Sequence, residues 1–498
     1  MRWSLCLAFG LGVLAAASGP ARAQATAEEA AKLKAVLEAW QPSGMQLSPA
    51  ESAYFTSRLP VSLPIGRWRV EPKGDAYQIE VPGIRRPMSE LFEPLLGRTL
   101  LFCPADRYGA RLTAPATYAL SAEDAYGCRL EWADGTVSRF VSRSRHVSGR
   151  IDLAASVASM DVIFDRVTLE RGSDPIAQQA FPASPRPAIE RLTLSGSRRS
   201  VADTRADLRS IITLEGFSAP APSGSGTITA KKIVHDIEGK RMDMAALSSS
   251  AFDLAKRLAG DKIPKPDDDP VIQALLDRFV DGIGSGQHEL VSIEGLTASA
   301  ASLTIGIGSL SAGVATVQTD PDTARMTMRL DTTDITVDRP SPYASWIPTK
   351  GVIQLSLDGV PFREVLTRSI LHGRGDPNAD ALSMQDARTR IGIDRVHFEA
   401  PNASLELSGT TVIDADAVLG QTGTLRMRLT GIDGLVKALQ ADPKASQAAT
   451  GLTMLQVLGR QTNLPDGQSA RDYEIVIDPS GKVLVNGADV QALVPKDL

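Results

Sequence analysis

In the second half of the chain apolar side chains fall at every other position, stretch after stretch. Leu303, Ile305 and Ile307 alternate with Ser302, Thr304 and Gly306, and Met326, Met328 and Leu330 alternate with Arg325, Thr327 and Arg329. Ile353, Leu355 and Leu357 repeat the pattern, as do Leu425, Met427 and Leu429 against Arg426 and Arg428. Successive side chains of a strand point to opposite faces, so a period of two means extended segments with one oily and one wet side. Such segments make an antiparallel sheet with one face in water. The oily face then needs a cover, which is either helices of the same chain or a guest.

Helices to serve as cover are written into the sequence by a different period. Between Met242 and Ile283, Met244, Leu247, Ala251, Leu254 and Leu258 recur at steps of three and four, which places them on one side of a helix. Gly260 and the charged, proline-bounded run Lys262 to Pro270 stop it. Asp269 suits an N-cap with Pro270 at the first helical position, and Ile272, Leu275, Leu276, Phe279, Val280 and Ile283 make a second apolar stripe. Further helices are expected over Ala27 to Trp40, Pro361 to Leu371, around Ile432 to Leu439, and from about Ser446 to Leu458.

The chain has 498 residues and 43% hydrophobic content, enough for sizeable cores in more than one domain. Met1-Arg2, the apolar run Trp3 to Ser18 and the small-x-small site Ala21-Arg22-Ala23 read as a Sec-type signal peptide, with the mature chain expected to begin at Gln24. Cys6 lies in the discarded segment. No later run is long and apolar enough to span a bilayer, so the expected location is the periplasm, with membrane association peripheral at most. The net charge of -5 becomes more negative once Arg2 and Arg22 leave, and the basic residues are scattered. Nucleic acid is therefore not an expected partner, because neutralising phosphates takes a clustered basic face.

Export leaves Cys103 and Cys128. Two thiols in an oxidising compartment, with neither a CxxC pair nor an intervening histidine, are expected to form one structural disulfide, worth about 3 kcal/mol in the chain-entropy view. Around them, short β-like pieces at Arg67 to Val70, Tyr77 to Val81, Thr117 to Leu120, Arg129 to Trp132 and Thr136 to Phe140, the last pair joined by Asp134-Gly135, suggest a small antiparallel module. The expected division is a signal peptide at 1–23, an N-terminal α+β module at 24–145, a β-rich half with the helical pair at 146–285, and a C-terminal sheet half with covering helices at 286–498.

Two phrases recur. One is Phe164-Asp165-Arg166-Val167, Ile189-Glu190-Arg191-Leu192 and Ile393-Asp394-Arg395-Val396; the other is Leu214-Glu215-Gly216-Phe217 and Ile293-Glu294-Gly295-Leu296. They fit two related β halves or the reuse of a good strand sequence, and the charges within them fit a cross-strand pattern on a wet face. Reactive motifs are missing. His146, His235, His288, His372 and His397 are dispersed, and His288-Glu289-Leu290-Val291-Ser292 ends in serine where a zinc-protease helix needs its second histidine. No nucleophile elbow, Walker loop or dinucleotide fingerprint occurs, and Asp267 to Asp269 read as solvated carboxylates. No catalytic residue, metal or cofactor is assigned.

Gly431-Ile432-Asp433-Gly434-Leu435 after a strand, a second helix ending at Gly459, and a hairpin finishing Gly481-Lys482-Val483-Leu484-Val485-Asn486-Gly487 resemble the close of exported AsmA-like bacterial envelope proteins. Ile347-Pro348-Thr349 followed by Gln354 to Pro361 is similar to their mid-chain strand-to-helix join. The resemblance implies a large curved sheet with helices on its concave side and a link to lipid handling; the cleavable leader departs from that family's retained anchor. The expected fold is α+β: a large curved antiparallel sheet with several helices on one face, plus a small disulfide-stapled N-terminal β-rich module. The expected function is non-enzymatic binding or presentation of a lipid-like apolar ligand in envelope maintenance. Alternatives are a scaffold that binds an envelope protein partner, and a hydrolase whose residues are dispersed in sequence. Leu303, Ile305, Ile307, Met326, Met328, Leu330, Leu425, Met427 and Leu429 are the groove candidates; the competing reading makes them a dry core under the helices.

Overall fold

The computed structural model describes residues 24–490 apart from short stretches, of which 56–62, 88–98, 172–187, 260–268 and 373–383 are the longest. The signal segment, Asp134-Gly135, Asp267 and Asp268 lie outside the described residues. The chain divides into two compact units, one of residues 1–291 with 366–375 and the other of 292–365 with 376–498. Every strand pairing described in either unit is antiparallel.

The first unit opens with helix α1 (Ala27–Trp40), whose first-turn amide at Glu29 is met by the Thr26 hydroxyl at 3.2 Å. Ten short strands follow: β1 (Leu63–Ile65), β2 (Arg69–Lys73), β3 (Ala76–Val81), β4 (Gly83–Pro87) and β5 (Thr99–Cys103), then β6 (Asp106–Ala114), β7 (Thr117–Ala122), β8 (Arg129–Trp132), β9 (Val137–Val141) and β10 (Ser144–Asp152). They form two arms. One runs β2–β3–β6–β7–β10 and the other β1–β4–β5–β8–β9. Both arms end on β11 (Val157–Arg171): β10 pairs with its first part up to Ser144↔Asp165, and β9 with its end from Val141↔Thr168. Cys103 and Cys128 are joined, with Cα atoms 4.3 Å apart, next to the Phe102↔Arg129 pair of β5 and β8. The staple thus holds one prong of a fork. The boundary expected near residue 146 falls inside β10, and the stapled strands form the branched margin of the first unit's sheet.

From β11 the sheet continues through β12 (Ala188–Ala202), β13 (Arg205–Pro220) and β14 (Gly226–Met242), strands of 15 to 17 residues. Its inner face is a core in which Leu33, Leu37 and Trp40 of α1 are buried with Val147, Ile151, Met160, Val162 and Phe164. Helices α2 (Met244–Leu258) and α3 (Pro270–Gly282) bury the two stripes read from their spacing: Met244, Leu247, Ala251, Leu254 and Leu258 on one, Ile272, Leu276, Phe279 and Val280 on the other. Asp269 caps α3 by accepting from the Val271 and Ile272 amides, with Pro270 at the first turn, and Arg257 reaches back to it at 2.6 Å. The return to the sheet is tight. Gly284, at φ +85°, lets the Ser285 amide donate to the Lys240 carbonyl at 3.0 Å, where a Cβ would stand 2.1 Å from that oxygen. One charge is embedded in the layer: Arg198 is buried over the Trp40 ring, centroid 4.7 Å, and burial pushes its guanidinium down to about 10 against the opposing pull of Asp243.

Strand β15 (Gly286–Ala300) carries the chain past the unit boundary. The second unit contains β16 (Leu303–Gln318), β17 (Ala324–Thr333), β18 (Thr336–Asp338), β19 (Lys350–Val360), β20 (Arg390–Ala400), β21 (Ala403–Ile413) and β22 (Gln421–Thr430). It closes with β23 (Arg460–Asn463), β24 (Ser469–Ile477), β25 (Val483–Val485) and β26 (Ala488–Asp489). The pairing order is β16–β17–β19–β20–β21–β22–β24; β18 continues along β16, and β23 and β25 share the far edge of β24. Helix α4 (Phe362–His372) follows β19, and α5 (Ile432–Gln440) and α6 (Ser446–Leu458) lie between β22 and β23 in the chain.

The recurring phrases mark where strands bend. Arg166 (φ 51°), Gly216 (φ 63°) and Gly295 (φ 62°) occupy the left-handed region at equivalent places in β11, β13 and β15, and the β20–β21 register slips across Asp394-Arg395. The charge pattern is cross-strand, with the Arg191 Nε donating to Asp165 at 3.2 Å.

Candidate functional site

The second sheet carries rows of apolar side chains in register. One row runs Val314, Met328, Leu355, Ile393, Gly409, Leu425, Ile475, and the next Ala312, Leu330, Ile353, Val396, Leu407, Met427, Tyr473. A third runs Met326, Leu357, Ile391, Thr411, Gly423, Ile477, and a fourth Thr332, Gly351, Phe398, Leu405, Leu429, Arg471. Directly paired residues of neighbouring strands share a face, so these rows form one continuous, mostly apolar surface across seven strands. Six of the nine groove candidates are on it: Met326, Met328, Leu330, Leu425, Met427 and Leu429.

Leu303, Ile305 and Ile307 lie outside these rows, on the stretch of β16 where Ile305 pairs with Val337 of β18. The apolar phase of β16 changes there, from odd positions up to Ile307 to even positions from Leu310, and opposite the change Asp334 takes a left-handed backbone (φ 53°) that interrupts the alternation between β17 and β18. Conversely, Ile393, Val396, Leu405 and Leu407 belong to the face without having been candidates. For the β21 pair the signal was present: Leu405 and Leu407 alternate with Ser404, Glu406 and Ser408.

The rows are covered at one end only among the described residues. There Tyr473 is buried and its hydroxyl donates to the Leu455 carbonyl of α6 at 2.8 Å, while Asn486 Nδ2 donates to the Leu458 carbonyl at 2.8 Å. Asp433 of α5 accepts from Gln456 at 2.7 Å and from Arg471 at 3.2 Å, which ties both helices to β24. Burial opposes ionisation of Asp433, but the Gln456, Arg471 and Ser469 contacts prevail and hold its carboxyl below the usual range. Away from this roof the apolar side chains remain part-exposed. Met328 is 41% exposed, and Leu330, Ile353, Leu355, Ile393, Leu407 and Leu425 are half-buried.

The opposite face is charged and wet. Arg428 grips Asp472 with two bonds of 2.7 and 3.2 Å, holding that carboxyl below its ordinary range, and Lys350–Glu399 and Arg325–Asp358 pair across strands in the same way. Histidines are apart. His235, buried in the first unit, contacts Glu289 Oε1 at 2.7 Å, and His397 lies 3.6 Å from Glu406 on the wet face. Among the described residues no three histidine, cysteine or carboxylate side chains come together as metal ligands, and no helix is long and apolar enough to cross a membrane. What the apolar face offers chemically is desolvation of an apolar guest.

Searches among curated proteins and solved structures return no match to the chain. Residues 283–492, which span the second unit's sheet with its two roofing helices, match the model of a family described as an uncharacterized protein conserved in bacteria (DUF2125).

Proposed function

We propose that this is an exported, non-enzymatic protein of the bacterial envelope that binds or presents a lipid-like apolar ligand on the open face of its C-terminal sheet. The observation that carries the reading is the part-exposed run of mostly apolar rows across seven strands, with Met328 at 41% exposure among them. A soluble chain rarely leaves so much contiguous apolar surface without a partner for it. Burying about a dozen ligand methylenes at roughly 0.8 kcal/mol each yields about 10 kcal/mol before ordering costs. Met326, Met328 and Met427 suit an irregular guest, because an unbranched thioether adapts its shape. The leader-like N-terminus and the likeness of the closing segment to AsmA-like proteins point the same way, to the periplasm and to lipid handling.

Native mass spectrometry of the purified mature protein tests the reading, with co-purified lipid the expected result and a ligand-free spectrum the adverse one. A sharper form uses an apolar fluorescent probe: Met328→Arg is expected to lower probe affinity at least tenfold, whereas Thr327→Arg, on the other face of the same strand, leaves it within twofold. Equal losses from both would remove the face assignment.

A scaffold role is the second reading, favoured by the outward apolar side of α6, where Val457 is 78% exposed beside Met454. Loss of complex formation with an envelope protein in Val457→Asp, with probe binding intact, would support it.

A further inference from the structure

The fork of the first unit holds a second site. β9 and β10 follow one another along β11 in a single register, broken at Ser142-Arg143, where the Arg143 amide donates to the Asp165 carbonyl at 3.0 Å. An open cleft of about 520 Å³ results, lined by Arg143, Ser144, Asp165, Arg166, Glu190 and Arg191. Its place follows from the topology, since the two arms diverge at this break, β8 continuing from β9 and β7 from β10.

The charges in it are unevenly matched. Asp165 is occupied: it accepts from Arg191 at 3.2 Å and from the Ser144 hydroxyl at 3.1 Å, and these contacts keep it ionised to lower pH than a free aspartate. Arg143 and Arg166 are exposed and make no ion pair within 4 Å among the described residues, with Arg166 acting on Asp165 only through space. Arg166 has a left-handed backbone (φ 51°) that turns its residue out of the strand's alternation without a residue inserted in the register of either neighbour. Glu190 is seated over Gly216, where a Cβ would come within 2.4 Å of its Cγ, so this carboxylate has a defined place beside the two cations. Three guanidinium groups face two carboxylates, one of them already engaged.

We propose that the cleft binds a phosphate-class oxyanion through the guanidinium groups of Arg143 and Arg166. The planar fork of arginine matches tetrahedral oxyanions with paired bonds, and two like charges brought into one cleft lose their mutual repulsion when an anion enters between them. Glu190 limits the charge the site tolerates, which favours a single phosphate group over a polyanion. The site and the apolar face belong to different units, and the two readings fail separately.

Calorimetry with glycerol 3-phosphate, alongside vesicles of phosphatidylcholine with and without phosphatidic acid, distinguishes a soluble ligand from a lipid head group. Saturable binding is expected, weakened at least tenfold in Arg143→Ala/Arg166→Ala, weakened less in the double lysine variant, and strengthened severalfold in Glu190→Gln. Arg325→Ala, a surface control, should leave it unchanged, and melting curves establish that each variant is folded. Binding of glycerol 3-phosphate assigns a free solute; binding to phosphatidic acid vesicles alone, lost in the double alanine variant, assigns a head group. Failure to bind either probe, or binding indifferent to both arginines, overturns the proposal.

Discussion

The two units contain sheets written in the same alternating code, yet their apolar faces meet different fates. In the first, Met160, Val162 and Phe164 are buried with α1, and the stripes of α2 and α3 are buried as well. In the second, α5 and α6 roof only the β22–β24 end, and Met328, Leu355 and Leu425 stay accessible to water. Burying a large apolar side chain fully contributes about 1.5–3 kcal/mol, so a half-buried one leaves much of that unrealised. Alternation therefore specifies a sheet and its oily side, but not what covers it. The difference teaches where binding energy is still available: the first unit has used its apolar face for its own stability, and the second has not.

Truncations should expose this difference most strongly. Phe279→Ala, at a side chain with 0% exposure in the first unit, should cost about 3–5 kcal/mol, and Leu254→Ala about 2–5 kcal/mol. Met328→Ala should cost about 1 kcal/mol or less, because little packed volume is lost at an open position. Hydrogen exchange read separately over the two units measures each effect; a Met328 penalty as large as that of Phe279 would mean a dry core where an open face is drawn. Next in size is the staple. Cys103→Ser/Cys128→Ser should lower the first unit's stability by about 3 kcal/mol and leave exchange in the second unit unchanged, since the closed loop lies wholly within the fork.

Much of this was legible in the chain, and the exceptions share a cause. Helices declare themselves locally: Asp269 and Pro270 set the start of α3 to the residue, and the spacing of Leu247, Leu254 and Leu258 gave the buried side of α2. The disulfide followed from the cysteine count and the oxidising compartment expected from the leader-like start, and the closing hairpin from Tyr473, Ile475 and Ile477 answering Val483 and Val485. What failed was relational. Ile305 looks like Met328 in its own strand, and only its pairing with Val337, beyond the left-handed Asp334, shows that it belongs to a different stretch of the sheet. The fork on β11 is likewise invisible, because no local pattern says that β9 and β10 will pair with one strand at different heights. The recurring Asp-Arg and Glu-Gly phrases were visible, but not that Arg166 and Gly216 would take left-handed backbone inside continuously paired strands. Hence the arginine cleft had no signal beyond charges that look ordinary on a wet face.

The smallest effect concerns the roof itself. Asp433 joins α5 to α6 through Gln456 and to β24 through Arg471, and its carboxyl titrates below its ordinary range. A carboxylate more acidic folded than unfolded stabilises the fold above its unfolded pKa, near 4, and that contribution disappears as pH falls through the folded value. The group is about a third exposed, so screening keeps the contribution to about 1 kcal/mol or less. Asp433→Asn should therefore melt a little earlier than the parent at pH 7, and the gap should close by pH 3. If the gap persists at pH 3, the contact acts through shape instead of charge. If it closes and probe binding also changes between the two pH values in the parent alone, the roofed and open parts of the face are coupled, and the cover over Tyr473 helps decide how much of the apolar surface a ligand can reach.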